Sequence, residues 1–288
     1  MSRNEILSPS LLRMDGRRPY ELRSLELHFS PHLVASSSFS SSSRNFASSS
    51  STLEQPDGSA RLVQGLNDVT CCVFGPRDGS GGAAGGSGEG ASIEFEVLNE
   101  NASQVGQERR ANRARNDRRT QETTSALTSL FTPILSLHLY PRTSSILVSL
   151  LVTSSDGSLL STLINAATLA LVAAGVPMKD YCLATTVAFH PPLKSSHTGG
   201  EDPVLLDPTS AEENDLPHLT VAVTPRDGNV GLSTLDAGRG KVQGDRVVQG
   251  LKVAVKVVSG ALLDEVEMAV KGWAKGLRDA GLEGARRS

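Results

Sequence analysis

Residues 146–178 read ILVSLLVTSSDGSLLSTLINAATLALVAAGVPM, and the order of signals along this stretch decides the fold. Residues 146–152 are apolar on both faces of an extended chain, which is the pattern of a strand in the interior of a sheet. Ser154-Ser155-Asp156-Gly157 supplies a turn. Residues 159–174 are then apolar nearly all round a helical wheel, so the helix predicted there is buried rather than laid on the surface. Gly175 and Pro177 stop it.

Strand signals dominate the chain before this unit. Residues 21–29 alternate polar and apolar side chains, residues 59–63 and 69–74 flank a Gly65-Leu66-Asn67-Asp68 turn, and residues 93–98 alternate again. Gly75-Pro76 is expected to stop the second strand of that hairpin. Residues 120–137 place Leu127, Leu130, Phe131 and Ile134 at helical spacing, with Pro133 near the end. Downstream, residues 180–189, 204–206, 219–223 and 230–233 read as strands. The C-terminal part combines β-branched residues with helical spacing of Val247, Leu251, Val255, Leu262, Val266, Val270 and Trp273. A helix kinked at Ser259-Gly260 is expected there. Strands followed by strand–helix mixtures give an α+β (mixed α/β) fold in a single domain over residues 1–280, with residues 281–288 as a flexible tail.

Composition excludes several classes. Of 288 residues, 38% are apolar and 20% charged, and the low apolar fraction has local causes. Eleven of the sixteen residues 36–51 are serine, and seven of the twelve residues 79–90 are glycine. Neither tract can bury enough apolar surface to offset the entropy of ordering it, so both are predicted disordered insertions. Residues 194–202 form a further polar loop. A net charge of −3 rules out a generally basic nucleic-acid binder, and 4% aromatics argue against a base-stacking module. The N-terminus carries no apolar signal core, and no apolar run is long enough to cross a membrane. Cys71, Cys72 and Cys182 have neither disulfide nor zinc spacing, and the six histidines are scattered, so buried reduced thiols and no metal are expected.

Several short motifs resemble, in order, those of the ribonuclease PH superfamily. They are Leu12-Arg13-Met14-Asp15-Gly16-Arg17-Arg18-Pro19, Asp57-Gly58-Ser59-Ala60, Arg118-Arg119, Tyr140-Pro141-Arg142-Thr143, Ser155-Asp156-Gly157-Ser158, Ala174-Gly175-Val176-Pro177-Met178 and Leu206-Asp207. The opening residues 1–9 are similar to those of family members found in the core ring of eukaryotic RNA exosomes. The resemblance implies mixed sheets flanked by helices, assembled into a six-membered ring around an RNA channel. It also implies partners: other RNase PH-like ring subunits, S1/KH cap subunits, hydrolytic nucleases and RNA, in nucleus, nucleolus and cytoplasm, with no membrane and no cofactor.

Phosphorolysis of RNA needs inorganic phosphate held by backbone N–H groups and a cation, beside an acid for the leaving oxygen. Asp156-Gly157-Ser158 before a helix offers the backbone setting. In active relatives, however, a Ser-Arg pair grips the phosphate there, and the matching positions are Leu159 and Leu160. Leucine supplies neither donor nor charge, so the alternative is that Asp156–Ser158 is only a turn and cap. Where active relatives carry an aspartate after the Leu-Asp pair, this chain has Glu213. With Asp207 and Glu212 it forms either a degenerate acid site or a solvated acidic loop. Six arginines between positions 109 and 119 face only Glu108 and Asp117. The resemblance makes Arg118 and Arg119 RNA contacts, with Arg113 and Arg115 on a loop at the channel mouth; a plain solvated charge run is the other reading. Arg142 matches a basic position near the RNA cleft, or pairs with a carboxylate. Three functions compete: a non-catalytic exosome ring subunit threading RNA for 3′–5′ processing and decay, an active phosphate-dependent 3′–5′ exoribonuclease, and a stand-alone RNA-binding module. Leu159 and Leu160 favour the first.

Overall fold

Two sheets carry the architecture of the computed structural model, which describes residues 6–8, 12–30, 55–78, 90–99, 118–191, 204–238 and 242–287. The serine tract, glycines 79–88, the 194–202 loop, Arg113 and Arg115 lie outside the described residues. The first sheet joins β1 (Leu25–Phe29), β2 (Gly58–Gln64), β3 (Asn67–Asp78), β4 (Ser92–Asn99) and β5 (Ser144–Ser154) in the order β1-β2-β3-β5-β4. All pairs are antiparallel except β4 and β5, which run parallel because the helix α1 (Arg118–Phe131) crosses between them. The second sheet is antiparallel, in the order β7-β6-β8-β9, from β6 (Leu183–Phe189), β7 (Val204–Leu206), β8 (His218–Thr224) and β9 (Asn229–Asp236).

The stretch quoted first forms the strand β5 and helix α2 (Leu159–Ala173) as its pattern predicts. Eleven residues of α2, from Ser161 to Leu171, are buried. The helix touches β2 and β3 of one sheet and β6 and β8 of the other, so its apolar residues all find a neighbour and knit both sheets into one hydrophobic core. Its polar residues are satisfied by backbone. Asn165 donates to the Ala184 carbonyl at 3.0 Å and accepts from the Ala184 N–H at 2.8 Å, and Thr168 donates to the Cys182 carbonyl at 2.5 Å. Gly58 lies against the α2 end, where an added Cβ would collide with the Ala174 backbone.

On the far side of the second sheet, α4 (Gly244–Val257) covers β6 and β8. It continues through one π-helical turn, Val258–Leu262, into α5 (Leu263–Arg287). The kink expected at Ser259-Gly260 is therefore an inserted residue in the helix rather than a break. Trp273 of α5 stacks on Phe29 of β1 with ring centroids 5.0 Å apart.

The structure corrects four expectations. Gly75-Pro76 does not stop β3: the strand runs on to Asp78 past a register shift between Phe74 and Arg77. The first strand begins at Leu25 rather than residue 21, because Arg23 is drawn into a buried polar network. Residues 210–215, read as an acidic loop, form the short helix α3 (Ser210–Asp215). The α5 backbone also continues to Arg287, into the segment expected to be a tail. All three cysteines are buried and free, and burial pushes Cys72 to about 11 and Cys182 to about 12.

Candidate functional site

The turn Asp156–Ser158 links β5 to α2, and α3 closes over it. Gly157 has φ +73°, and a Cβ there would meet the backbone of Pro208, Thr209 and Ser210. Glycine is thus what allows the second loop to approach. Asn67, at the start of β3, holds the turn from below: it donates to the Gly157 carbonyl at 2.6 Å and accepts from the Asp156 N–H at 2.5 Å.

Asp207 is wholly buried at the centre of the cluster. Its carboxylate accepts from Arg23 Nη2 at 2.6 Å and Nε at 2.9 Å, and from Gln64 Nε2 at 3.0 Å. Burial alone would push this carboxyl up, but the hydrogen bonds and charge of Arg23, with the Gln64 bond, hold it below the usual carboxylate range. The other face of the Arg23 guanidinium donates to the carbonyls of Asp156 and Gly157 at 2.6 and 3.3 Å. A second buried pair lies alongside. Arg13 donates to Glu212 at 2.9 and 2.5 Å and to the Leu206 carbonyl at 2.6 Å. Glu212 also accepts from the Thr209 N–H, completing the capping box of α3. Asp207 and Glu212 are therefore not a solvated acidic loop; two arginines consume them.

Glu213 does something different. Its Oε1 accepts from the Ser158 N–H at 2.5 Å, at the N-terminus of α2. Helix N-termini attract anions, and here the anion is the chain's own carboxylate. Burial pushes the Glu213 carboxyl up, while the Ser158 N–H, His218 and Arg23 pull it back only in part. The Ser158 hydroxyl donates to the Pro208 carbonyl at 3.0 Å and so is turned away from the helix end. Leu159 and Leu160 open α2 half-buried and packed on the core. Arg23, the guanidinium that reaches this turn among the described residues, donates to the Asp156 and Gly157 carbonyls and to the Asp207 carboxylate.

The Glu213→Gln variant checks this reading. Glutamine keeps the acceptor for Ser158 and removes a charge that burial disfavours. Stability at neutral pH should stay within about 1 kcal/mol of the parent or rise; a loss above about 2 kcal/mol in urea unfolding would mean the charge itself holds the turn.

The structure gathers Asp156, Ser158, Leu159, Leu160, Asp207 and Glu213 into one place, but not the arginines named with them. Arg118 and Arg119 open α1, both exposed, and Arg118 pairs with Glu122 one turn on, at 2.8 Å. Arg142 is exposed ahead of β5, whereas Asp156 follows β5. Eleven strand residues at ~3.3 Å each separate Arg142 from the acidic cluster. Arg13, Arg23, Gln64 and Asn67 are the residues that sequence reasoning passed over. Arg13 lies in a quoted motif and Thr209-x-x-Glu212 is a readable capping box, but Arg23 meets Asp207 across 184 positions with no local signal.

Two sheets bound around a buried helix, with this turn at its N-terminus, define a class. The chain belongs to the 3′ exoribonuclease (RNase PH) family: the family's domain 1 matches residues 42–177 and its domain 2 matches residues 180–257. Among curated relatives, it is 33% identical over 224 residues to the exosome complex component ski6 of Schizosaccharomyces pombe, covering 77% of each chain. It is 28% identical over 263 residues to the human exosome complex component RRP41, covering 91% of this chain and 93% of that one. Of solved structures, rice Rrp46 superposes with a TM-score of 0.66 at 24% identity, over 90% of this chain and all of that one.

Proposed function

We propose that this chain is a non-catalytic subunit of the core ring of an RNA exosome, which threads RNA toward hydrolytic nucleases supplied by other chains. The observation that carries the non-catalytic part is the occupied N-terminus of α2, where Leu159 and Leu160 stand and the Glu213 carboxylate takes the Ser158 N–H. A phosphate anion arriving there would meet a carboxylate and two leucines instead of a hydroxyl and a guanidinium. The ring part is supported by relatives named as exosome complex components that match over three quarters or more of the chain. In this reading the partners are other RNase PH-like subunits, S1/KH cap subunits, hydrolytic nucleases and RNA, with work divided among nucleus, nucleolus and cytoplasm. Arg118, Arg119 and Arg142 would meet RNA through its phosphates, which fixes position without reading bases.

Purification of the tagged chain from its own cells tests the assembly. Other RNase PH-family chains should copurify in near-equal amounts and stay bound through gel filtration. A chain that elutes alone would contradict the ring role.

A further inference from the structure

Residues 12–23 form no helix or strand of their own, yet they are ordered ahead of β1. Three arginines that converge on one segment hold them. Arg13 donates to the Leu206 and Asp207 carbonyls at 2.6 and 3.2 Å, Arg17 to the Asp207 carbonyl at 3.2 Å, and Arg23 to the Asp207 carboxylate at 2.6 Å. Between them the Pro19 carbonyl accepts from the Leu206 N–H at 2.8 Å. The arm therefore lies across the segment that leads into α3 and grips what stands on either side of it. At one end Arg13 holds Glu212 of α3; at the other Arg23 holds the Asp156 and Gly157 carbonyls of the turn before α2.

A helix of six residues, such as α3, is too short to persist on its own hydrogen bonds. Arg13 and the capping box fix it through Glu212, and Glu213, the next residue, then reaches the Ser158 N–H. These anchors are ionic and buried. The side chains of Arg13 and Glu212 are 0% and 3% exposed, and those of Arg23 and Asp207 are 6% and 1% exposed. Letting go of one partner would strand a charge out of water, whereas releasing the whole set returns every member to solvent. The arm is therefore either docked or released, with little between. The core beneath joins α2 to β3 and β5 through apolar side chains, so its contacts do not pass through the arm.

We propose that residues 12–23 form a strap that docks and releases together with α3, and that this strap sets whether Glu213 occupies the N-terminus of α2. The inference rests on the Glu213–Ser158 contact and is independent of the ring reading. It adds a means of opening that helix end from a distance. The strap also contains a turn that can be altered without touching anything else. Gly16 has φ +83°, its N–H donates to the Arg13 carbonyl at 3.0 Å, and the place of a Cβ there is open space. A change at Gly16 therefore reaches Glu213 only through the strap.

Hydrogen exchange on the full-length chain tests it. The amides to follow are those of Arg13, Leu206, Ser158 and Glu213, each of which donates within the strap, to it, or within the α3 site. In wild type, in urea below the unfolding transition, they should share one opening free energy. That value should be smaller than the one for Leu163 to Leu171 in α2 and Val69 to Val73 in β3. The Gly16→Val variant puts a β-branched residue in a left-handed conformation without a clash, so it loosens the strap alone. The strap and α3 amides should then exchange about tenfold faster by a common factor, while the α2 and β3 amides stay within about twofold of wild type. Faster exchange at Arg13 and Leu206 with Ser158 and Glu213 unchanged would make the arm a free end and overturn the proposal. A common factor that extends to the core would overturn it as well, because the strap would then open only with the whole fold. If the variant does not fold, wild type decides: amides that open only with the core, or separately from one another, sink the strap. The ring reading is untouched by any of these results.

Discussion

Replacing Asp207 by asparagine is expected to cost about 3–5 kcal/mol of folding stability, the usual cost of orphaning one member of a buried ion pair. The substitution isolates the charge. Asp207 sits at φ +52°, a left-handed conformation that asparagine also tolerates, and the two side chains are nearly equal in size. What changes is Arg23, left buried with the carbonyls of Asp156 and Gly157 and with only the looser Asp156 carboxylate, 3.7 Å away. At roughly 2–4 °C per kcal/mol for a chain of this size, the melting temperature should fall by about 6–20 °C. A loss below about 1 kcal/mol in urea unfolding would show that water reaches Arg23. The pH dependence follows from the directions of the two carboxyl shifts. Asp207 is held below its ordinary value of 3.8, so its contribution is present above that value and is lost as pH falls through the lower folded value. Glu213 is raised above 4.5; its charged form opposes folding above the raised value, and that penalty is relieved as pH falls through it. Asp207 should therefore add to the loss of stability below about pH 3.8, and the Asp207→Asn variant should show a smaller step there, since Asp15, held low by Arg17, still contributes.

Charge reversal of Arg118 and Arg119 to glutamate should leave the fold intact and weaken RNA binding by about tenfold or more at 0.1 M salt. Both side chains are exposed, and the Arg118–Glu122 pair, with both partners largely in solvent, adds little to stability. Acidic residues in the first turn of α1 suit its dipole, which offsets the repulsion of Glu122. The effect on RNA is read in the salt dependence. Each phosphate contact adds about 0.7 to the slope for a single strand, so losing two should flatten it by about 1.4. The loss should be alike for unrelated RNA sequences. An unchanged slope with the complex intact would make these arginines a solvated charge run.

The fold was legible wherever one residue type repeated with a clear period. The apolar strand and all-apolar helix of residues 146–174 could form nothing else, and α2 starts at Leu159 as read. Reading failed where meaning depended on distant partners. Asp207, Glu212 and Glu213 look alike along the chain; only the fold gives Arg23 to the first, Arg13 to the second and a backbone N–H to the third. Gly75-Pro76 misled because a proline inside a strand usually ends it, yet a register shift lets β3 pass. The leucines at 159 and 160 were legible as residues without donor or charge; the Glu213 carboxylate on the Ser158 N–H beside them was not.

The account turns most directly on phosphorolysis. The complex purified through this chain, with its hydrolytic nucleases removed by stringent washing, is incubated with 3′-hydroxyl RNA with and without about 10 mM inorganic phosphate, roughly tenfold above the ~1 mM upper end of common KM values. If the proposed non-catalytic reading holds, with the Glu213 carboxylate on the Ser158 N–H and Leu159-Leu160 at the start of α2, no nucleoside diphosphate is released in either condition. Nucleoside diphosphates that accumulate only with phosphate, and that are lost in a Glu213→Ala variant of the same complex, would contradict it.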